Sequence, residues 1–488
     1  MKKIGVLISV LILTVILFSC SDNSDTDDNN QNPVNTADSG GVIGEETPLN
    51  ELYPYSEHDF GGAAVNFLAR QDGWADGSQD FDDITVESET GEVLNDAVFR
   101  STRLVEEKYN VNIAVTYVPD VNSVIARSIR AGDDEYQVIQ EKLVFMSATL
   151  ATQNFLKDLS VIDSMNLDAP WYNQNAIKDL AINKKVTTFG GDMTVSDKSG
   201  VIFAVFNKKM IADYGLENPY TIVNEGKWTL DKFYELMTQT ASDLNGDGMM
   251  RIQDDQWGLI CEDYAGWMLS VASGNRLASL DSDGLPFMTY AAEKNVNDYE
   301  RIKRILYEDS SRANVTSPQQ QREVFEENRA LFSIGMLSSI ASLRGMEEDF
   351  GMVPLPKQDD NQQNYITSIS PWVSRFLAMP TSVANPEMVG AVIDALSRES
   401  TNTVVPAYYD NLLNQKIARD EESVEMLKMI FDSVIYDIGS VFSWAGIWDE
   451  QMRFIQSGRE DYLGYHERIE GRIQAELERT IEAMLSFD

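Results

Sequence analysis

The clearest local pattern of residues that could bind a ligand or metal is a run rich in Asp and Asn from Asp243 to Asp254, D-L-N-G-D-G-M-M-R-I-Q-D. Oxygen-bearing side chains stand at positions 1, 3, 5 and 12, and glycine stands at position 6. This spacing surrounds a hard cation with oxygen atoms. We therefore predict a structural Ca²⁺ site made by five residues: the side chains of Asp243, Asn245, Asp247 and Asp254, and the backbone carbonyl of Met249.

Two features depart from the usual calcium loop. Position 9 is Arg251, which offers no oxygen ligand, and position 12 is Asp254 rather than the longer, bidentate glutamate. Asp255 would replace Asp254 if the loop closed one residue later. The alternative interpretation is an Asp- and Asn-rich surface turn that binds no metal.

Aromatic residues next to predicted strand ends form a second group of candidates. A sugar ring has an apolar face that packs on an indole, while its hydroxyls need polar partners. Large aromatics are also ordinary core residues, and this alternative stays open for each one. We expect Trp74, Trp267 and Trp372 to be the best candidates. The full set predicted to contact a ligand is Trp74, Trp171, Asp192, Asp197, Tyr264, Trp267, Trp372 and Trp444.

Residues for catalysis are scarce. The sequence contains no phosphate-binding glycine loop, no nucleophile elbow and no C-x-x-C, and His58 and His466 are its only histidines. General-base and thiol chemistry therefore have few available groups. A pair of carboxylates facing across a cleft would still suit a glycoside hydrolase, so an exported carbohydrate-active enzyme remains an alternative to a protein that is not an enzyme.

Strands and helices alternate along the first third of the chain. Strands are predicted at Ala63 to Ala69, Val111 to Val118 and Tyr136 to Ile139, with helices at Asn95 to Tyr109 and Ser123 to Arg130 between them. Such spacing predicts βαβ units and a parallel sheet. A continuous apolar run, V-I-F-A-V-F, spans 201 to 206 and favours a further parallel strand covered on both faces. Helices dominate the C-terminal part.

Four stretches resemble a known family. F-N-K-K-M-I-A-D-Y-G-L-E-N-P-Y with W-T-L-D-K-F (206–233), R-A-L-F-S-I-G (329–335), F-G-M-V-P-L-P-K (350–357) and L-A-M-P-T-S (377–382) resemble, in this order, the family 1 extracellular solute-binding proteins. These are the maltose-binding-protein-like receptors of bacterial ABC importers. The resemblance implies an α/β, two-lobe, periplasmic-binding-protein-like fold of type II, in which each lobe is a mainly parallel sheet flanked by helices and hinge segments cross between the lobes.

The same resemblance implies a function. We expect a substrate-binding protein that captures a carbohydrate, in the first instance an oligosaccharide, between its lobes and delivers it to an ABC permease and its ATPase. The same receptor fold binding a peptide or polyamine is an alternative. The predicted divisions are 57–189 plus 333–380 for lobe 1 and 190–332 plus 381–488 for lobe 2.

The N-terminal segment predicts export. Met1-Lys2-Lys3 precedes an apolar stretch from Ile4 to Phe18, which is typical of a secretory signal, and L-F-S-C resembles a lipobox ending at Cys20. We predict a signal peptide at 1–19, lipidation at Cys20, a disordered polar tether at 20–56, and a cell-surface or periplasmic lipoprotein. The other cysteine, Cys261, is expected to be a buried apolar residue.

Length and charge limit the partners. The 488 residues suit two lobes, and the formal net charge of −39 argues against nucleic acid, because a phosphate backbone must be met by clustered Lys and Arg. Contact with a membrane is expected through the lipid anchor only. We expect a monomer.

Overall fold

The computed structural model describes residues 58–71, 83–308, 311–314, 317–414, 417–457 and 459–486. The predicted signal peptide, Cys20, the tether and Trp74 lie outside these ranges. Within them, none of the helices combines the length and apolarity needed to span a bilayer.

Within the described ranges, eleven strands form three sheets. The strands are β1 (Ala63–Arg70), β2 (Val111–Val118), β3 (Val138–Lys142), β4 (Ile202–Asn207), β5 (Trp257–Cys261), β6 (Ala278–Leu280), β7 (Pro286–Met288), β8 (Arg312–Asn314), β9 (Ala330–Met336), β10 (Phe350–Val353) and β11 (Arg375–Ala378). The first sheet has the order β11-β3-β1-β2, the second has the order β10-β4-β9-β5-β8, and β6 pairs with β7.

Each large sheet contains one reversed strand. In the first sheet β1, β2 and β3 are parallel, and β11 is antiparallel to β3. In the second sheet β4 is antiparallel to both of its neighbours, while the other strands share one direction. The mainly parallel fold class is confirmed. The prediction of a parallel strand at 201–206 was wrong in direction, because an apolar run shows burial on both faces and carries no information about neighbouring strands.

Seventeen α-helices in the described part of the chain surround the sheets. They are α1 (Val93–Tyr109), α2 (Val121–Ala131), α3 (Leu143–Phe145), α4 (Gln174–Leu180), α5 (Lys208–Tyr214), α6 (Pro219–Asn224), α7 (Leu230–Thr238), α8 (Ala265–Ala272), α9 (Glu293–Lys303), α10 (Pro318–Glu326), α11 (Leu337–Ile340), α12 (Pro386–Asn402), α13 (Val404–Asn414), α14 (Glu421–Asp432), α15 (Ile438–Phe442), α16 (Ile447–Ser457) and α17 (Tyr462–Leu485).

Local signals explain several helix ends. The Thr229 hydroxyl accepts a hydrogen bond from the Lys232 backbone N–H at the start of α7, and Asn385 caps α12 in the same way with Pro386 at the first helical position. Gly215 ends α5 with φ of 63°, a left-handed conformation that costs glycine little. These boundaries agree with the sequence prediction.

Sheet membership changes the predicted division between lobes in two places. β9 and β10 pair with β4 in the second sheet, so the chain returns to the first sheet only at β11. The buried face of α12 shares a core with β1 and α1 of the first sheet, although the sequence division placed this helix in lobe 2. An apolar strand or helix face shows that it must be covered, and only tertiary contacts decide by which partner.

Two crossing segments join the sheets: residues 190–201 form the first and residues 354–374 the second. The Ser370 N–H of the second segment donates to the Gly200 carbonyl of the first at 2.8 Å, and the N–H of Ile202, at the start of β4, donates to the Ser368 carbonyl at 3.1 Å. Residues 433–435 run beside the second segment, where Thr367 exchanges backbone hydrogen bonds with Ser433 and Ile435. Paired segments between two α/β bodies form a hinge.

Candidate functional site

Three aromatic side chains gather at the carboxyl edge of the first sheet. The Trp372 and Trp448 ring centroids lie 6.2 Å apart at 42°, and Phe145 meets Trp372 edge to face at 5.5 Å. All three side chains are half-buried. We call Phe145, Trp372 and Trp448 the aromatic cluster. Phe145 lies shortly after β3 and Trp372 lies shortly before β11, so both stand where an α/β sheet presents its ligand edge.

Backbone contacts hold two members of the aromatic cluster together. The N–H groups of Leu143 and Val144 donate to the carbonyls of Ser374 and Pro371, both at 3.0 Å. These bonds attach the start of α3 to the end of the second crossing segment. Phe145 and Trp372 are therefore fixed relative to each other by main chain, which favours a preorganised surface.

Trp448 reaches the cluster through an irregular turn. Ser443, Ala445 and Gly446 have φ values of 46°, 52° and 72° before α16 begins. The Glu476 carboxylate of α17 accepts a hydrogen bond from the Ala445 N–H at 2.5 Å, and the Arg472 guanidinium donates to the Ala445 carbonyl at 2.9 Å. Helix α17 thus holds the turn that positions Trp448.

A charged pair borders the aromatic cluster. Arg70, the last residue of β1, lies over the Phe145 ring at 5.1 Å from its centroid and 3.2 Å from a Glu141 carboxylate oxygen. The Arg70 guanidinium also donates to the Pro119 carbonyl at 2.8 Å. Glu141 is buried in β3. The partly exposed Arg70 guanidinium can bind a hydroxyl group beside the aromatic faces, while buried Glu141 helps to hold Arg70 in place.

The two indoles carry buried hydrogen-bond donors. Among the described residues, neither the Nε1 of Trp372 nor the Nε1 of Trp448 has a hydrogen-bond partner. A buried indole N–H normally finds an acceptor, and leaving it without one is unfavourable. The exposed parts of the two rings can therefore pack on an apolar face, and the buried N–H groups can bind acceptor oxygens only when the groups that cover them move.

A third strand end contributes Glu262 and Tyr264. Both follow β5 and are half-buried. Burial raises the pKa of Glu262, and a hydrogen bond with Tyr264 acts to lower it. Burial also raises the pKa of Tyr264, and the negative charge of Glu262 raises it further. Both groups remain candidates for polar contact at the carboxyl end of the second sheet.

Three of the predicted ligand-contacting tryptophans are in the core. Trp171, Trp267 and Trp444 have 3%, 2% and 2% exposure. The Trp171 N–H donates to Asp394 at 3.0 Å and the Trp444 N–H to Thr480 at 2.8 Å. With so little exposed surface, these rings offer no face to a ligand in this structure. In this structure these three rings pack as core residues, as in the alternative that the sequence left open.

Trp372 and Tyr264 remain candidates, and Asp192 and Asp197 lie in the first crossing segment. Sequence reasoning missed Arg70, Glu141 and Phe145, and it named Trp444 rather than its neighbour Trp448. The sequence contained a signal for Arg70, Glu141 and Phe145: each lies at or near the carboxyl end of a predicted strand, and the carboxyl ends of the parallel strands β1 and β3 meet at one edge of the sheet. No sequence signal separates Trp448 from Trp444.

The predicted calcium loop is held by its own hydrogen bonds. Asp243 accepts from the N–H groups of Gly246 and Gly248, both at 2.7 Å, and Asp247 pairs with Arg251. Asp255 is fully buried and accepts from the Leu244 and Arg251 N–H groups. In the described part of the chain, no three His, Cys, Asp or Glu side chains converge as a metal site. Calcium therefore stays a prediction.

The sequence matches no protein-family model and no curated protein. Its fold is similar to those of several solved proteins. A cyclo/maltodextrin-binding protein in complex with maltotetraose has a TM-score of 0.56 at 11% identity, covering 87% of this chain and 97% of the other. RafE from Streptococcus pneumoniae has a TM-score of 0.53 at 14% identity, with 87% and 98% covered.

An ABC transporter solute-binding protein from Thermotoga lettingae, bound to alpha-D-tagatose, has a TM-score of 0.51 at 13% identity, with 87% and 100% covered. At such identities the likeness concerns the fold. Two sheets with one reversed strand each and two crossing segments give the chain the two-lobe fold of the maltose-binding-type solute-binding proteins of ABC transporters.

Proposed function

We propose that the protein is the substrate-binding component of an ABC importer and captures a carbohydrate, in the first instance an oligosaccharide, between its two lobes. The observation that carries the proposal is the pair of half-buried indoles, Trp372 and Trp448, whose N–H groups have no acceptor in the described part of the chain. The exposed parts of the two rings offer a surface to the apolar face of a sugar, and the buried N–H groups become available to its oxygen atoms when the groups that cover them move.

The mechanism is a shift between conformations. A ligand that contacts both lobes only when they are together stabilises the closed form, and the permease recognises that form. Energy for transport comes from the partner ATPase, and the protein itself performs no catalysis. Lipidation at Cys20 and the polar segment 20–56 anchor the body to the membrane while allowing it to reach the permease.

Calcium is a secondary proposal. The loop from Asp243 to Asp254 has the oxygen spacing for Ca²⁺, and binding requires Asp247 to exchange its Arg251 partner for the ion. We expect Ca²⁺ to raise the melting temperature relative to a chelator, and Asp243→Ala to remove the increase. Arg251→Gln should enlarge it. Equal melting temperatures with Ca²⁺ and chelator in all three proteins would leave the loop as a metal-free turn.

A thermal-shift panel tests the main proposal. The chain from Leu52 onward, which forms one compact unit, is mixed with maltotetraose, raffinose, tagatose, amino acids, short peptides and spermidine. A ligand at 100 times its Kd adds about 2.7 kcal/mol of stability. A shift with a sugar that mass spectrometry recovers intact supports the receptor. Cleavage products would indicate an enzyme, and a response to spermidine or peptides alone would exclude the carbohydrate.

A further inference from the structure

The first crossing segment contains a buried ion pair. Lys198 Nζ lies 2.9 Å from Asp197 Oδ1, and Asp197 is 1% exposed. The second carboxylate oxygen, Asp197 Oδ2, is buried and has no hydrogen-bond partner among the described residues. A buried carboxylate that is satisfied on one oxygen only is an unfavourable arrangement while it is ionised.

Two further carboxylates act on this pair. Asp83 accepts from the N–H and hydroxyl of Ser196 at 3.0 and 2.6 Å, directly beside Asp197, and from the Gln140 amide at 2.8 Å. Asp192 accepts from the Thr401 hydroxyl at 2.7 Å. The negative charges of Asp83 and Asp192 both oppose ionisation of Asp197, and Lys198 favours it.

The elements around Asp197 supply further titratable groups. The charge of Asp197 also acts on three tyrosines, which are Tyr408 and Tyr409 of α13 and Tyr436 beside the second crossing segment. On the sheet, Lys142 and Arg375 are cross-strand partners in β3 and β11 on the face that carries Gln140. Lys198 is the cation that is hydrogen-bonded to Asp197.

The backbone around Asp197 is closely packed. A Cβ placed on Gly190 would lie 3.1 Å from Asp197 Oδ2 and 2.9 Å from the Phe376 ring. A Cβ on Gly200 would lie 2.5 Å from the Ser374 hydroxyl, and the Gly200 N–H donates to that hydroxyl at 3.2 Å. The packing of the first crossing segment against β11 and the second segment therefore keeps Asp197 buried.

We propose that the first crossing segment is a proton-responsive hinge, in which Asp197 takes up a proton while the crossing segments are packed together and releases it when they separate. The step is a proton exchange with solvent and needs no other reactant. Protonation removes the unsatisfied negative charge from the interior, while Asp192 still attracts Lys198.

The sign of the effect follows from burial. Burial raises the pKa of Asp197 to about 6 against the opposing influence of Lys198, and Asp83 and Asp192 add to the increase. When the segments separate and the group becomes hydrated, its pKa returns towards about 3.9. The packed hinge is therefore favoured as pH falls through about 6. By this linkage, separation is about tenfold less frequent at pH 5 than at pH 8.

Hydrogen exchange of the full-length chain tests the proposal. Peptides covering 189–201 and 367–375 are followed at pH 5 and pH 8, with rates corrected for the intrinsic pH dependence of exchange. We expect about tenfold greater protection at pH 5 in the natural protein. Asp197→Asn should show high protection at both values, because the amide resembles the protonated acid. Asp192→Asn should move the midpoint of the pH-dependent change in protection to lower pH, because the variant removes a negative charge next to Asp197.

Asp394→Asn is the matched control. Asp394 is also buried and burial raises its pKa to about 6, but it lies in α12 and binds Trp171 and Tyr172 rather than a crossing segment. This variant should keep the pH response of both peptides. Equal corrected protection at pH 5 and pH 8 in the natural protein would overturn the proposal, even if Asp197→Asn does not fold. A response that persists in folded Asp197→Asn would overturn it as well.

Discussion

At the level of single residues, six of the described tryptophans fall into two environments. Trp171, Trp228, Trp267 and Trp444 are at most 3% exposed, whereas Trp372 and Trp448 are half-buried and lie against each other. Trp228 also donates its N–H to the Pro354 carbonyl at 2.8 Å. Residues of one type, with the same intrinsic chemistry, thus divide between core packing and a surface available to a ligand.

Trp448→Ala should weaken sugar binding. Loss of one aromatic stacking partner removes about 0.5–1.5 kcal/mol beyond the apolar area, so we expect about tenfold weaker affinity. Calorimetric titration with the sugar selected from the thermal-shift panel measures the change. Trp228→Phe is the control, because the Trp228 ring is buried against Phe233 and Phe332 and its indole N–H binds the Pro354 carbonyl. That variant should lose stability and keep its affinity, and the opposite pattern would move the site away from the aromatic cluster.

Asp394 should make stability depend on pH. Burial raises its pKa to about 6, although Trp171, Tyr172 and the Asn166 N–H act to lower it. Because the folded pKa exceeds the unfolded value of about 3.9, the stabilisation is complete below that value and is lost as pH rises through about 6. Urea unfolding at pH 4.5 and 7.5 should show this loss, of the order of 1–3 kcal/mol, in the natural protein. The free energy of unfolding of Asp394→Asn should depend less on pH. An equal difference between pH 4.5 and 7.5 in the variant and the natural protein would show that Asp394 does not cause the pH dependence.

At the level of elements, close backbone approaches join helices to sheets. Gly258 in β5 faces the end of α7, where an added Cβ would lie 2.0 Å from the Met237 carbonyl oxygen and 2.7 Å from its Cα. These contacts are with main chain, which cannot move aside as a flexible side chain does. Glycine at this position is therefore required by packing of α7 on the second sheet.

Gly258→Ala should destabilise the protein by about 3 kcal/mol or more, because an overpacked backbone contact forces strand and helix apart. Gly471→Ala provides the contrast. Gly471 is exposed in α17 with nothing within 4 Å of an added Cβ, so alanine should stabilise by about 0.5–1 kcal/mol. Chemical denaturation of both variants measures the two effects. Similar changes in the free energy of unfolding of the two variants would show that α7 does not pack on β5 in this way.

At the level of the whole molecule, the two sheets and their helices form two lobes joined by the crossing segments. A compact protein of the length of Leu52–Asp488 has a radius of gyration of about 22 Å. Because closure around a ligand brings the bodies together, the sugar that shifts the melting temperature should reduce this radius in solution scattering while the molecular mass stays that of a monomer. An unchanged radius with bound sugar would exclude closure as the mechanism.

Secondary structure was largely determined by the sequence itself. β2 has the predicted bounds, α7 begins after Thr229, and Asn385 with Pro386 starts α12, because caps, turns and apolar periodicity act within a few residues of chain. The order of motifs also indicated two α/β lobes joined by a hinge, which the sheets confirm.

Tertiary structure alone decided the direction of β4, the sheet to which β10 belongs, and the lobe against which α12 packs. It also decided that Trp448 rather than Trp267 lies beside Trp372. The physical reason is the same in each case. An apolar strand, helix face or indole must be covered by other groups. Because those groups are distant in sequence, the local pattern does not specify which of them will pack against it.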